Sequence, residues 1–136
     1  MLISTKGRYA LRIMIDLAEH QAEGYIPLRK TAERQGISEK YLEAILKILV
    51  KNKFLEGLRG KGGGYKLVKP PEAYTVGSIL QTVELSIAPV PCLDPCKEEC
   101  SRKSSCRTLP LWQGLDHVIR DYLEHITLAD LMERES

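Results

Sequence analysis

Apolar residues recur three and four apart through Ala10, Met14, Leu17 and Ala18, which predicts an amphipathic helix from Ser4 or Thr5 to about His20. Gly24 and Pro27 interrupt it. A short helix follows over Leu28 to Gln35, closed by Gly36. Ser38 is a good N-cap with Glu39 in the favourable first turn, so a third helix runs to about Asn52 and buries Leu42, Ile45, Leu46 and Leu49. The period then shortens. Leu55 to Arg59 and Tyr65 to Val68 read as two strands around the tip Gly60-Lys61-Gly62-Gly63-Gly64. Helix-turn-helix chemistry followed by a hairpin predicts a winged helix. Beyond Pro70-Pro71, Thr75 caps a fourth helix through Val76, Ile79, Leu80 and Val83. Pro89, Pro91 and Pro95 keep the next stretch irregular. From Leu109 a long helix carries Trp112, Leu115, Ile119, Tyr122 and Ile126 as a narrow seam suited to pairing with another helix, and Thr127 caps a final short helix.

The expected fold is mainly α with a small β-hairpin. A winged helix-turn-helix occupies residues 1–86, a cysteine-rich loop 87–108, and a dimerisation helix with a short terminal helix 109–136.

Charge sharpens this picture by its position. The formal net charge is only +2, too small to indicate a polyanionic partner by itself. Lys and Arg nevertheless concentrate in the first half. Lys40, Glu43 and Lys47 lie on the third helix opposite its core face, where Lys suits phosphates or guanine edges and Glu accepts from cytosine. The plainer alternative is a solvated Glu43–Lys47 pair. At the tip, Arg59 and Lys61 flank glycines that would let a sugar–phosphate backbone approach, with Arg59 placed for a minor groove. A simple hairpin turn is the competing explanation, but four glycines around two cations exceed what such a turn needs. Lys6 and Arg8 add candidate phosphate contacts, and Ser38 and Gly62 complete the expected DNA-facing set. Double-stranded DNA is the expected partner.

Chemistry is concentrated elsewhere. All four cysteines, Cys92, Cys96, Cys100 and Cys106, fall in PCLDPCKEECSRKSSCRTLPLW. Zinc sites usually pair two short knuckles across a longer insert, whereas iron–sulfur clusters accept open spacings such as these. Lys97, Arg102, Lys103 and Arg107 would offset thiolate charge. Iron–sulfur ligation, zinc binding and thiol switching all stay open on this ground. His20, His117 and His125 read as helix-end or surface residues. No dinucleotide fingerprint, nucleophile–base pair or hydrolase signature appears, so an enzyme is not expected. No signal peptide or bilayer-length apolar run is visible, and the expected location is the cytoplasm, where clustered thiols are seldom permanent disulfides.

The segments ISTKGRYALRIMIDLA, ERQGISEKYLEAIL, LRGKGGGYKL and YTVGSIL together resemble the Rrf2 family of winged-helix transcription regulators, over nearly the whole chain. That family includes sensors of iron–sulfur status and nitric oxide and regulators of cysteine metabolism. The resemblance implies a homodimer paired through the long helix on a partly palindromic operator. It implies base reading by Glu43 and Arg59, and phosphate contact by Lys6, Arg8, Lys61 and Tyr41. It also implies an iron–sulfur cluster, [2Fe-2S] in preference to [4Fe-4S], held by Cys92, Cys100 and Cys106. Members differ in a further, non-cysteine ligand. Its two known places fall here on Leu109 and Arg8, neither of which can serve, which leaves Cys96 or a small molecule as candidates. The second expectation is a cluster-free regulator of cysteine or sulfur metabolism, controlled by an enzyme partner or by thiol oxidation.

Overall fold

A computed structural model describes residues 3–94 and 101–133. Six α-helices and one hairpin follow in the order α1 (Thr5–Glu19), α2 (Leu28–Gln35), α3 (Glu39–Lys51), β1 (Leu55–Leu58), β2 (Gly64–Leu67), α4 (Val76–Val83), α5 (Leu109–Glu124) and α6 (Leu128–Met132). The mainly helical fold with its small winged hairpin is the one the periodicity predicts.

Local chemistry explains where most helices begin. Ser4, Ser38 and Thr75 each accept a hydrogen bond from a first-turn N–H of α1, α3 and α4. Thr127 and Asp130 form a reciprocal capping box at α6. Between α2 and α3 the chain must reverse tightly. Gly36 does this in the left-handed region at φ 64°, where a side chain would be strained.

The strands differ by one residue from the expected bounds: β1 stops at Leu58, and β2 runs Gly64–Leu67 in place of Tyr65–Val68. Leu58 pairs with Gly64 as the last rung, so Arg59 belongs to the turn. At the other end the Val68 N–H leaves the ladder and donates to the Tyr74 hydroxyl. Tyr74 is buried and also accepts from the Lys69 N–H at 3.1 Å while donating to the Phe54 carbonyl at 2.7 Å. Burial pushes its hydroxyl pKa up, against the lowering effect of those two backbone N–H groups. One phenol thereby ties both strands to the end of α3. A further bridge, Ile26 to Tyr65, joins the chain before α2 to the hairpin.

The main core gathers Ile13, Met14 and Leu17 from α1, Leu42, Ile45, Leu46 and Leu49 from α3, and Leu55, Tyr74, Ile79 and Leu128 around them. Leu128 lies in this core, so α6 packs against α1 although it ends the described chain. A smaller cluster of Val76, Leu80 and Ile87 receives Leu123 and Ile126.

One buried ion pair fastens α1 to α2. Asp16 is 2% exposed and accepts from the Arg34 guanidinium at 2.6 and 2.9 Å and from Gln35 at 2.9 Å. Burial pushes the Asp16 carboxyl up, but the hydrogen bonds and charge of Arg34, with Gln35 and His20, hold it below its ordinary value. Removing a partner from such a pair is costly, because the remaining charge is left buried.

Candidate nucleic-acid interface and thiol site

Helix α3 turns its apolar face to the core, which leaves Lys40, Tyr41, Glu43 and Lys47 exposed in a row. Ser38 Oγ caps the helix by accepting from the Tyr41 N–H at 3.2 Å. The ion pair of the plainer reading is present: Lys47 Nζ lies 3.6 Å from Glu43. Its partners are 73% and 52% exposed, so it contributes only about 0.3–0.5 kcal/mol and exchanges readily for other partners.

Between α3 and the hairpin runs a groove of about 700 Å³, lined by Glu43, Lys47, Lys51, Val50, Leu58 and Arg59 among others. The helix and the wing tip, separate in sequence, thus share one cleft with cations on both walls. The tip glycines also have a reason inside the turn itself. Gly60 and Gly62 hold φ of 90° and 78°. A Cβ on Gly63 would overlap the Leu58 and Gly60 carbonyls, and one on Gly64 would overlap Ile26. The turn itself therefore needs these glycines, and Arg59 and Lys61 stand exposed on it.

At the start of α1, Lys6 is half-buried, and the exposed Arg8 donates to Thr5 at 3.0 Å. Tyr9 meets Tyr41 edge-on at 5.6 Å, and the Arg12 guanidinium sits 5.1 Å over the Tyr9 ring. Arg12 also donates to the Gln35 backbone and side chain. This small stack holds α1 against the first turn of α3. Sequence reasoning missed Tyr9, Arg12 and Lys51, because only the packing of distant segments brings them to this face.

Two of the four cysteines, Cys92 and Cys106, are described; the expectations for Cys96 and Cys100 lie outside the described residues. Cys92 sits in the single turn Pro91–Leu93, and Cys106 stands just before α5, both half-buried with free thiols. The Thr108 hydroxyl, 3.4 Å from Cys106 Sγ, lowers the thiol pKa, helped by the N–H groups of Thr108 and Leu109 and by Arg102. A thiol inclined to ionise suits metal ligation and exchange chemistry. Among the described residues no three metal-ligating side chains are grouped.

A family model described as "Iron-dependent Transcriptional regulator", Rrf2, matches residues 3–134. The chain belongs to the Rrf2 family. It is 42% identical over 135 residues to the HTH-type transcriptional regulator IscR of Erwinia tasmaniensis, covering 99% of this chain and 81% of that protein. Among solved structures it resembles CymR, the global cysteine regulator of B. subtilis, at 35% identity and TM-score 0.79 over 100% of this chain and 99% of that one. It also resembles T. potens IscR, at 35% identity and TM-score 0.75 over 98% and 87%. The protein is thus a DNA-binding transcription regulator of Rrf2 type and not an enzyme. Among the described residues no helix is long and apolar enough to cross a membrane.

In this Rrf2 protein the face of α5 left without cover shares Leu115 and Tyr122 with the seam expected and adds Leu111 and Val118. Leu111, Leu115, Val118 and Tyr122 are 60%, 41%, 62% and 66% exposed and recur four, three and four apart. Ile126 turns inward onto the Val76–Leu80–Ile87 cluster instead. The helix rotates because its last turn docks on α4, which draws Leu123 and Ile126 to the inner side.

Proposed function

We propose that the protein is a cytoplasmic homodimer that binds an operator through α3 and the wing, with an iron–sulfur cluster in the cysteine loop setting its affinity. The shared groove of Glu43, Lys47 and Arg59 carries the DNA part of this reading. Glu43 accepts from cytosine in the major groove, and Arg59 enters the adjacent minor groove. Ser38, Lys40, Tyr41, Lys47, Lys6, Arg8, Lys61 and Gly62 hold the backbone. The Leu111–Leu115–Val118–Tyr122 stripe pairs two copies, which spaces their α3 helices about 34 Å apart for successive major grooves.

Cys92, Cys100 and Cys106 would hold the cluster, with Cys96 as the candidate further ligand, and [2Fe-2S] is favoured over [4Fe-4S]. The thiol donor set and the lowered Cys106 pKa fit such a group. A bound cluster supplies a centre whose gain, loss or oxidation changes the loop's charge and span. The loop leaves α4 at residue 85 and enters α5 at Leu109, so such a change acts on the angle between the paired halves.

The test is anaerobic purification with iron and sulfide analysis, followed by operator selection on holo and chelated protein. Bound iron and a clear difference in operator affinity are expected. A triple Cys92→Ser, Cys100→Ser, Cys106→Ser variant that keeps both iron content and affinity would refute the cluster assignment. Arg59→Ala is expected to cost about 10- to 100-fold in affinity for the selected operator. The likeness to CymR supports a second reading, in which thiol oxidation or a sulfur-metabolism enzyme controls a cluster-free dimer. Iron-free protein that co-purifies with such an enzyme would favour it.

A further inference from the structure

Neither α1 nor α4 carries an acidic residue in its own first turn. Each N-terminus instead meets a glutamate from the end of another helix. At α1, Glu84 Oε1 accepts from the Ser4 N–H at 3.0 Å and from the Ser4 hydroxyl at 2.5 Å. Ser4 Oγ in turn accepts from the Gly7 N–H. At α4, Glu124 accepts from the Thr75 hydroxyl at 3.2 Å, and Thr75 accepts from the Ser78 N–H.

A glycine makes room at both places. A Cβ on buried Gly7 would overlap the Glu84 carboxylate, and one on buried Gly77 would overlap that of Glu124. Helix interiors disfavour glycine, so its presence on both helices, each time beneath a carboxylate from elsewhere, has a steric reason. The carboxylates also supply the negative charge that a helix N-terminus favours.

The two contacts lie in series. Glu124 ends α5 and grips α4; Glu84 follows α4 and grips α1. The loop 85–108 starts beside Glu84 and rejoins α5 at Leu109, the opposite end of that helix from Glu124; the far end of the path is the turn that carries Lys6 and Arg8. We infer that Glu84 is a positioning residue for DNA binding, holding the phosphate-contacting turn of α1, and that Glu124 supports it through α4. This rests on the operator-binding reading given above and adds a residue-level route from the dimer helix to the DNA.

Electrostatic binding counts phosphate contacts by its salt dependence, at about 0.9 log units of slope per contact. Glu84→Ala is expected to make the slope shallower by up to about two units per chain, through Lys6 and Arg8, and to lower operator affinity about tenfold at 0.15 M salt. Discrimination between the operator and base-substituted duplexes, which α3 and Arg59 provide, stays as in the wild type. Glu84→Gln keeps one acceptor and gives an intermediate slope. Gly7→Ala displaces the carboxylate while favouring the helix, so a similar loss there at wild-type helical content and unfolding midpoint does not come from unfolding of α1. Glu124→Ala gives a smaller change in the same direction, and the Glu84→Ala/Glu124→Ala pair is no worse than Glu84→Ala alone.

Folded Glu84→Ala and Gly7→Ala proteins with wild-type slope and affinity would overturn the inference. So would a loss of base discrimination at unchanged slope. If the wild type binds no selected duplex, the operator-binding reading falls first and takes this one with it.

Discussion

Helices α3 and α5 have similar lengths and opposite fates. The 13 residues of α3 bury Leu42, Ile45, Leu46 and Leu49, whereas the 16 residues of α5 bury none of their own. Around α3, a capped start, the Asp16–Arg34 pair and the Tyr74 hydroxyl hold the reading surface from several directions. Helix α5 touches the rest of the chain along its last turns and shows a row of apolar side chains outward. The contrast teaches where each position is decided. The chain's own core sets α3, whereas α5 keeps an apolar stripe that this chain does not cover. In the dimer proposed above, a signal acting beside α5 would move one α3 relative to the other without disturbing how either is built.

The sharpest way to break this comparison is to charge the outward stripe. Leu115→Asp with Val118→Asp should leave the helical content and the core of the reading head intact. Sedimentation should then show a monomer, and operator affinity should fall on the order of a thousandfold as one half-site is lost. A dimer that survives both charges would place the pairing surface elsewhere.

Arg34→Ala attacks the other side of the comparison. It strands the buried Asp16 carboxylate and should cost about 3 kcal/mol in thermal or denaturant unfolding at neutral pH. The sign with pH follows from the depressed folded-state pKa of Asp16. Its contribution is fully present above the unfolded value near 3.8 and is lost as pH falls through the lower folded value. The wild-type advantage over the variant should thus be largest at neutral pH and shrink towards pH 3. A difference independent of pH would show that Asp16 ionisation has no part in it.

Tyr74→Phe removes the hydroxyl shared by the Phe54 carbonyl and two N–H groups. It should cost about 1–3 kcal/mol, with faster amide exchange at Val68 and Lys69 as the local mark. The smallest effect belongs to the wing tip. Lys61→Ala should reduce the salt slope of operator binding by about 0.9 per chain and leave folding stability unchanged. An unchanged slope would remove Lys61 from the backbone contacts.

Much of the architecture was legible along the chain because it is made by neighbours. Ser38, Thr75 and Thr127 cap the helices they were expected to cap, and Gly36 turns where a left-handed residue is required. The tip glycines were legible as a turn. Gly63 and Gly64 have a further steric reason that the sequence did not show, in the backbones of Leu58, Gly60 and Ile26 that lie against them.

Sequence alone determined the helices, the hairpin, the exposed polar face of α3 and the family, since each depends on periodicity, capping or a contiguous motif. Tertiary structure decided the rest. It chose which stripe of α5 faces outward, joined Glu43 to Arg59 across one groove, and brought Glu84 and Glu124 onto the ends of helices far away in the chain. Those outcomes depend on how rotated, packed helices meet in space, and no spacing along the chain encodes a meeting between residues 80 positions apart.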